Sequence, residues 1–386
     1  MSTNGTMAFR SLTTMQVGGE IETFVRAETN EALCAAIAAA ESRGEPWLVV
    51  GGGSNLIASD EPYRGTVIQL ATRGIEVILA PAPERGAAVT AEPDRGLVTI
   101  KVAAGEDWDA LVEYTVQQGW SGIEALSGIP GSSGASPIQN IGAYGQEVAA
   151  ALVAIDLLDP ESGEISRIPA AALQLGYRTS ALKRGTLEGV VTAIELQLHA
   201  HDDGLSQSVA YQQLATALGV KLGSRVPIAA VRETVLALRA AKGMVLSEDP
   251  DSVSAGSFFT NPIVSARFAR DLPDDAPKWS SSVEESPRVY PIDAVGDLAP
   301  LPQQGEPAVK LSAAWLIEHA GIPKGFSLPG SAAAVSSKHT LAITNRGRAT
   351  SAEILQLAGY IQTRVENHFG VRLHPEPNLV GFSDEH

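Results

Sequence analysis

The strongest constraint in this chain is a stretch of 19 residues, Ser127 to Gly145, without one acidic or basic side chain. It reads Ser127-Gly128-Ile129-Pro130-Gly131-Ser132-Ser133-Gly134-Ala135-Ser136-Pro137-Ile138-Gln139-Asn140-Ile141-Gly142-Ala143-Tyr144-Gly145. A solvated loop has no need to exclude charge so thoroughly. Small residues and amides of this kind suit contact with a large, flat, phosphate-bearing cofactor. Backbone N–H groups and Ser and Asn side chains can wrap it, while Gly and Ala let a ring system lie against the main chain. The plain alternative is a buried irregular crossover.

A second glycine run, Gly51-Gly52-Gly53-Ser54-Asn55, follows the apolar Trp47 to Val50, which reads as a short buried strand. Ahead of it, Asn30 is placed to cap a helix carrying Leu33 and Ile37, and Gly44 to end it. At a strand end, glycines admit backbone amides to a pyrophosphate, and Gly52 is expected to need both the space and a positive φ. The run is not a G-x-G-x-x-G fingerprint and no helical pattern follows it. Alone it would equally be a tight turn; beside the long uncharged stretch it points to a nucleotide cofactor.

The surrounding pattern alternates strands and helices. Leu97 to Ala103 reads as a strand, turned at Gly105 into a helix with Trp108, Leu111, Val112 and Thr115 on one face. Ala151 to Leu158 and Gly189 to Leu198 read as further strands, with sheet ending near His201 and a linker over His201 to Ser208. A helix starts at about Pro227, with Ile228, Val231, Val235 and Leu238 in register. The clearest helix carries a capping-box pair, Thr350 and Glu353, then Ile354, Leu357, Ile361 and Val365 on one face, and stops at Gly370. Ala80 to Gly96 and Asp271 to Pro307 lack periodicity and read as irregular insertions.

A length of 386 residues argues for two or three domains. Lys and Arg number 28 against 44 Asp and Glu, a formal charge of −16 that repels nucleic acid and anionic membranes. Any anionic ligand must therefore be met by locally gathered cations. The single cysteine, Cys34, allows no internal disulfide and no cysteine metal site, which fits a reducing compartment. The apolar run Ala32 to Ala40 is far short of a membrane span, and the opening MSTNGTMAFRSL lacks a signal-peptide core. A cytoplasmic protein is expected.

Eight pieces, in order, resemble the UDP-N-acetylenolpyruvoylglucosamine reductase family: Gly18-Gly19, Gly51 to Asn55, Gly128 to Gly131, Pro137 to Gly145, Tyr177-Arg178-Thr179-Ser180, Ala255 to Pro262, Ala314 to Glu318, and Pro375-Glu376. The resemblance covers most of the chain outside the two insertions. It implies reduction of UDP-N-acetylglucosamine enolpyruvate to UDP-N-acetylmuramate for peptidoglycan and cell-wall synthesis, with non-covalent FAD and NADPH as co-substrate. It implies FAD contacts at Gly51, Gly52, Gly53, Ser54, Asn55, Gly128, Gly131, Gly134, Ser136, Pro137, Gln139, Asn140, Gly142, Ala143, Tyr144 and Gly145. Ser257 matches the proton donor, Arg178 the arginine facing the substrate carboxylate, and Glu376 the catalytic glutamate. Tyr211 matches the tyrosine loop of one subtype, and Lys242, Asn261 and His339 match contacts to the UDP-sugar or nicotinamide nucleotide. No metal is implied, and the partners are small molecules rather than nucleic acid or membrane, with the protein a monomer or weak dimer. Thr260 stands where the family commonly carries lysine, so one expected ligand contact is in doubt.

The implied fold class is α+β: a two-part FAD-binding domain of the PCMH/vanillyl-alcohol-oxidase type and a C-terminal α+β substrate-binding domain. The first part is expected over 1–72, rejoined by 371–386, the second over 73–225, and the substrate domain over 226–370 with the insertion 271–307. Two other readings stay open. A flavin oxidase of the same cofactor type often tethers FAD through His or Cys near the glycine loop, but neither residue occurs between Gly51 and Gly145. A nucleotide-binding regulatory protein would show no turnover of NADPH.

Overall fold

The computed structural model describes residues 7–78, 96–201, 203–281 and 307–382. The chain divides into two compact units, one formed by 1–7, 21–53 and 64–241 and the other by 8–20, 54–63 and 242–386.

The first unit holds two sheets. In the smaller, Tyr63–Leu70 lies between Ile21–Ala27 and Trp47–Val50, pairing in parallel with the latter. The larger has the order Ile165–Pro169, Leu152–Leu158, Val190–His199, Leu97–Ala103, Ile75–Ile78, antiparallel throughout. The helix Trp108–Gln117 buries Trp108, Leu111 and Val112 with Ile100, Val102 and Ile194 of this sheet, as its apolar spacing requires. The helix Asn30–Ser42 buries Leu33 and Ile37, but its cap is Thr29, whose side chain accepts from the Ala32 amide. Asn30, expected as the cap, is already helical: both residues are good caps, and the chain is extended at Thr29.

The second unit is built on small sheets and one long helix. Asn378–Val380 pairs in parallel with Leu56–Ala58, so the chain end, expected to rejoin the first part, groups with the second unit. Ile263–Ser265, Ala308–Leu311 and Lys278–Ser281 form an antiparallel sheet with Ala308–Leu311 central. Its core gathers Phe258, Phe259, Leu316, Ile317 and one face of the helix Ser351–Phe369: Ile354, Leu357, Ile361 and Val365. The capping box of that helix is formed, with Glu353 N donating to Thr350 Oγ1 at 3.1 Å and Thr350 N donating to Glu353 Oε2 at 2.8 Å. Thr350→Ala should cost about 1 kcal/mol of stability, read as a lower urea midpoint at unchanged slope; an unchanged midpoint would show that the cap is not needed.

Three features differ from the sequence reading. The expected cofactor-domain parts 1–72 and 73–225 fall together in the first unit, except that 8–20 and 54–63 group with the second. The helix Ile228–Ala240, expected to open the substrate domain, belongs to the first unit because Val231 and Val235 bury with Ala125, Val209 and Leu214. The irregular segment expected from Asp271 is interrupted by the strand Lys278–Ser281, too short to show a periodicity of its own. The remainder of that insertion, 282–306, and 79–95 of the other lie outside the described residues.

Candidate functional site

In the first unit the two glycine runs meet. A Cβ on Gly52 would sit 2.8 Å from the Gly131 Cα, and one on Gly51 would sit 2.1 Å from Ser132 Oγ. Gly52 is therefore required by the close approach of two backbones; the left-handed φ expected there belongs to Gly53, at +60°. Gly134 is closed in the same way, its Cβ position lying 2.4 Å from that of Ala104. The runs border a cleft of about 460 Å³, lined by Gly51, Ser132, Gly134 and Ala135 on one side and by Leu70, Leu182, Leu187, Val190 and Val191 on the other. Apolar walls beside glycine backbone are what an adenine nucleotide needs, and the volume is in the range of small-molecule sites. The residues present thus fit a dinucleotide cofactor.

Several side chains in the long run are spent inside the protein. Asn140 donates from Nδ2 to Glu147 Oε2 at 2.8 Å and to Gly176 O at 3.1 Å, and its Oδ1 accepts from Ala149 N. Ser136 Oγ donates to Ser133 O at 2.7 Å, and Gln139 Oε1 accepts from Lys183 Nζ at 3.3 Å. These residues shape the loop. Gly142 and Ala143 form one strand of a two-residue hairpin with Gln146-Glu147, turning through Tyr144-Gly145.

Arg178 is bonded to that loop, donating from Nη1 to Asn140 O at 3.2 Å and from Nη2 to Gly142 O at 2.7 Å. Asn140, Tyr144 and Arg178 all hold positive φ, at 47°, 49° and 54°. Such conformations cost energy in residues other than glycine and gather where function requires them. Tyr144 packs edge to face on Tyr211, ring centres 5.9 Å apart, and burial raises the Tyr144 phenol above its ordinary range. Tyr211 stands at the N-cap of the helix Gln212–Leu218 and is 42% exposed.

Two groups here escaped the sequence reading. Arg239, in the last turn of Ile228–Ala240, is buried, and a Cβ on Gly128 would sit 3.3 Å from its Nε. Burial pulls its guanidinium down, opposed by Tyr144 and Asp109, while Arg178 adds like charge. Its only sequence signal was its place three residues before Lys242. Glu124 is 1% exposed; its carboxylate accepts from Gly122 N at 2.6 Å and from Gln207 N at 2.9 Å, securing the segment that leads to Tyr211.

In the second unit the segments that carry Ser257 and Glu376 are paired antiparallel beside Phe259 and Pro375, with Thr260 N donating to His374 O at 3.0 Å. Phe258 N donates to Leu341 O at 2.7 Å, and Phe258 O accepts from Glu376 N at 2.8 Å. Phe258 and Phe259 are fully buried with rings 5.2 Å apart, which fixes the segment, while Ser257 and Glu376 remain partly open. Asn55 Nδ2 donates to Glu376 O at 3.2 Å and Asn55 O accepts from Asn378 N at 3.0 Å, so Asn55 anchors the Glu376 backbone. Thr260 Oγ1 donates to His374 O at 3.4 Å; this is a backbone bond where the family's lysine would present a cation. Asn261 Oδ1 accepts from Ala313 N at 2.9 Å at the start of the helix Ala313–His319, leaving its amide NH₂ on the other side. Gly51, Gly52 and Gly53 belong to the first unit, and Ser54, Asn55, Lys242, Ser257, Asn261, His339 and Glu376 to the second.

Burial, with the charges of Lys242 and Lys324, pulls the His339 imidazole from 6.5 to about 4. The side chain is neutral at neutral pH, a donor and acceptor without charge. Because the unfolded chain takes up this proton near pH 6.5 and the folded one only near 4, its stabilisation is complete above 6.5 and is lost as pH falls through that window. The loss totals on the order of 3 kcal/mol. His339→Gln should flatten the stability profile between these limits in urea titrations; equal slopes in variant and wild type would contradict the shift.

Comparison with known proteins agrees with this division. A family model for an FAD binding domain matches residues 21–169, and one for the C-terminal domain of UDP-N-acetylenolpyruvoylglucosamine reductase matches 249–380. The UDP-N-acetylenolpyruvoylglucosamine reductase of Leifsonia xyli subsp. xyli is 52% identical over 97% of this chain and 98% of its own. That of Saccharopolyspora erythraea is 45% identical, covering 98% and 96%. The crystal structure of the reductase from Thermus caldophilus has the same fold, with a TM-score of 0.58 at 24% identity, covering 97% of this chain and 98% of its own. With relatives this similar along nearly its whole length, the chain belongs to the UDP-N-acetylenolpyruvoylglucosamine reductases.

Proposed function

We propose that Ser257 is the proton donor, and Arg178 and Glu376 the charged groups, of the reaction this family carries out. That reaction is NADPH-dependent, FAD-mediated reduction of UDP-N-acetylglucosamine enolpyruvate in peptidoglycan synthesis. FAD, when bound, would supply hydride chemistry from NADPH to one carbon of the enolpyruvyl double bond. The other carbon must then receive a proton. A serine hydroxyl is a weak acid, but it suffices for an enolate-like carbon, whose basicity is far greater than that of water.

The observation that carries this reading is the backbone pairing of the Ser257 segment with the Glu376 segment, in which Glu376 N donates to Phe258 O at 2.8 Å and Thr260 N to His374 O at 3.0 Å. A proton donor and a carboxylate are thereby presented from one rigid element, as positioned catalysis requires. Glu376 stabilises the enol form of the intermediate, and Arg178 meets the substrate carboxylate with a planar fork of donors. Arg178 and Arg239 feel each other's charge, an arrangement that an anionic ligand relieves. Gly51, Gly52, Gly53 and Gly131 would hold the cofactor's phosphates by backbone amides, Gly134, whose own amide donates to Ala104 O at 2.9 Å, and the remaining loop residues would line it, and Tyr211 closes on the substrate as in the tyrosine-loop subtype. Lys242, Asn261 and His339 contact the nucleotide parts of substrate or co-substrate.

No helix among the described residues is long and apolar enough to cross a membrane, and the formal charge is −16. A cytoplasmic monomer or weak dimer acting on small molecules, without nucleic acid or membrane as partner, fits both. The test is stoichiometric: the purified yellow protein should oxidise one NADPH per flavin by itself and turn over further NADPH only when the enolpyruvyl substrate is present. Flavin reduction by a sugar or hydroxy acid in place of NADPH would favour a flavin oxidase, and no NADPH oxidation at all a regulatory protein.

A further inference from the structure

Asp251 has no part in the mechanism just described, yet its buried carboxylate accepts three hydrogen bonds. It lies in the single helical turn Pro250–Ser252 and is 4% exposed. Its Oδ1 accepts from Ser337 N at 2.9 Å and from Arg346 Nη2 at 3.1 Å, and its Oδ2 accepts from Ser337 Oγ at 2.5 Å. The turn it holds runs directly into His339. Within that turn Ser336 Oγ accepts from Lys338 N at 3.1 Å and from His339 N at 3.2 Å, and Lys338 forms an ion pair with Asp249.

The other side of Asp251 faces the Lys242 turn. Gly243 has φ +68°, and a Cβ there would sit 2.8 Å from the Asp251 Cβ and 3.0 Å from its carbonyl oxygen. The glycine following Lys242 is thus packed on the same residue whose carboxylate grips the turn before His339. Arg346, third partner of the carboxylate, follows the strand Ile343–Asn345 that closes the hairpin with Ala333–Val335.

From this juxtaposition we infer that Asp251 is a positioning residue: its buried carboxylate sets the Lys242 and His339 turns at a fixed separation and so fixes the nucleotide contacts of substrate or co-substrate. The inference rests on the reading of Lys242 and His339 as ligand contacts. Removing the charge takes away the Arg346 ion pair and the second oxygen that accepts from Ser337 Oγ, which loosens the hold of Asp251 on the turn before His339. Misplacement of contacts by a fraction of an ångström weakens binding before it slows chemistry, because Ser257 is anchored separately, at Phe258.

The test uses the flavin-loaded enzyme. Asp251→Asn should keep normal flavin content and kcat within about threefold, while KM for the enolpyruvyl substrate or for NADPH rises roughly tenfold or more. In the same variant the His339 imidazole, identified in NMR spectra by its loss in His339→Gln, should titrate well above the wild-type value of about 4 as its turn loosens. Should Asp251→Asn fold poorly, Ser337→Ala removes one of the bonds to the carboxylate from an exposed residue and should show the same pattern at smaller size. A fall in kcat with both KM values and the His339 titration unchanged would mark a merely structural acid and overturn the inference. Lys242→Ala and His339→Gln separate the two claims: if neither raises a KM, the ligand reading has failed, whereas the His339 titration in Asp251→Asn still reports on positioning alone.

Discussion

Ser257→Ala should be bleached by NADPH at close to the wild-type rate and then stall with the enolpyruvyl substrate. The first half-reaction takes a hydride from nicotinamide and asks no proton of Ser257. The second leaves a substrate carbon that must be protonated, and loss of a positioned acid costs on the order of a hundred- to ten-thousand-fold. The substitution removes one hydroxyl and leaves the Phe258 bonds to Leu341 and Glu376 untouched, so the fold should not suffer. Ser257→Cys retains a donor and should recover part of the rate. Stopped-flow absorbance decides the matter: reoxidation of Ser257→Ala by substrate at wild-type speed, with product released, would remove Ser257 from the role of acid.

Gly52→Val should purify without flavin. Its side chain would begin 2.8 Å from the Gly131 Cα, with backbone rather than a flexible side chain in the way, so the two glycine runs must part and the cleft they border must open. A milder pair separates crowding from general damage. Gly51→Ala meets Ser132 Oγ at 2.1 Å and Ser132 Cβ at 3.2 Å; both atoms vanish in Ser132→Gly. The double variant Gly51→Ala/Ser132→Gly should therefore regain flavin that Gly51→Ala alone has lost. Full flavin occupancy in Gly52→Val, measured by the visible spectrum against protein concentration, would refute the cradle.

Much of this was legible in the chain because local rules agreed with the global fold. The helix Ser351–Phe369 combined an apolar stripe, a capping box and a terminal glycine, and all three formed. Trp47–Val50 and Leu97–Ala103 were readable as strands because apolar runs ended at glycine. Other features depended on contacts distant in sequence. Nothing near Ile228–Ala240 says that Val231 and Val235 will bury with Ala125 and Val209. Asn140 and Ser136 looked like donors for a ligand, but polarity alone does not tell whether the partner is a cofactor or the protein's own carbonyls. Gly52 and Gly53 looked alike as letters; close approach governs one and positive φ the other. Asp251 and Arg239 carry no motif a single sequence displays, since a buried charge reads as a surface one until its neighbours are known.

The most direct measurement of the whole account follows NADPH and nucleotide product together in one anaerobic reaction of the purified, flavin-containing protein with UDP-N-acetylglucosamine enolpyruvate. Beyond the one NADPH that reduces each flavin, one UDP-N-acetylmuramate should appear for each NADPH consumed, with no further NADPH consumed when UDP-N-acetylglucosamine replaces the enolpyruvyl ether. Failure to form UDP-N-acetylmuramate from flavin-loaded protein, or sustained consumption of NADPH beyond the flavin without it, would contradict the assignment of this site to enolpyruvyl reduction.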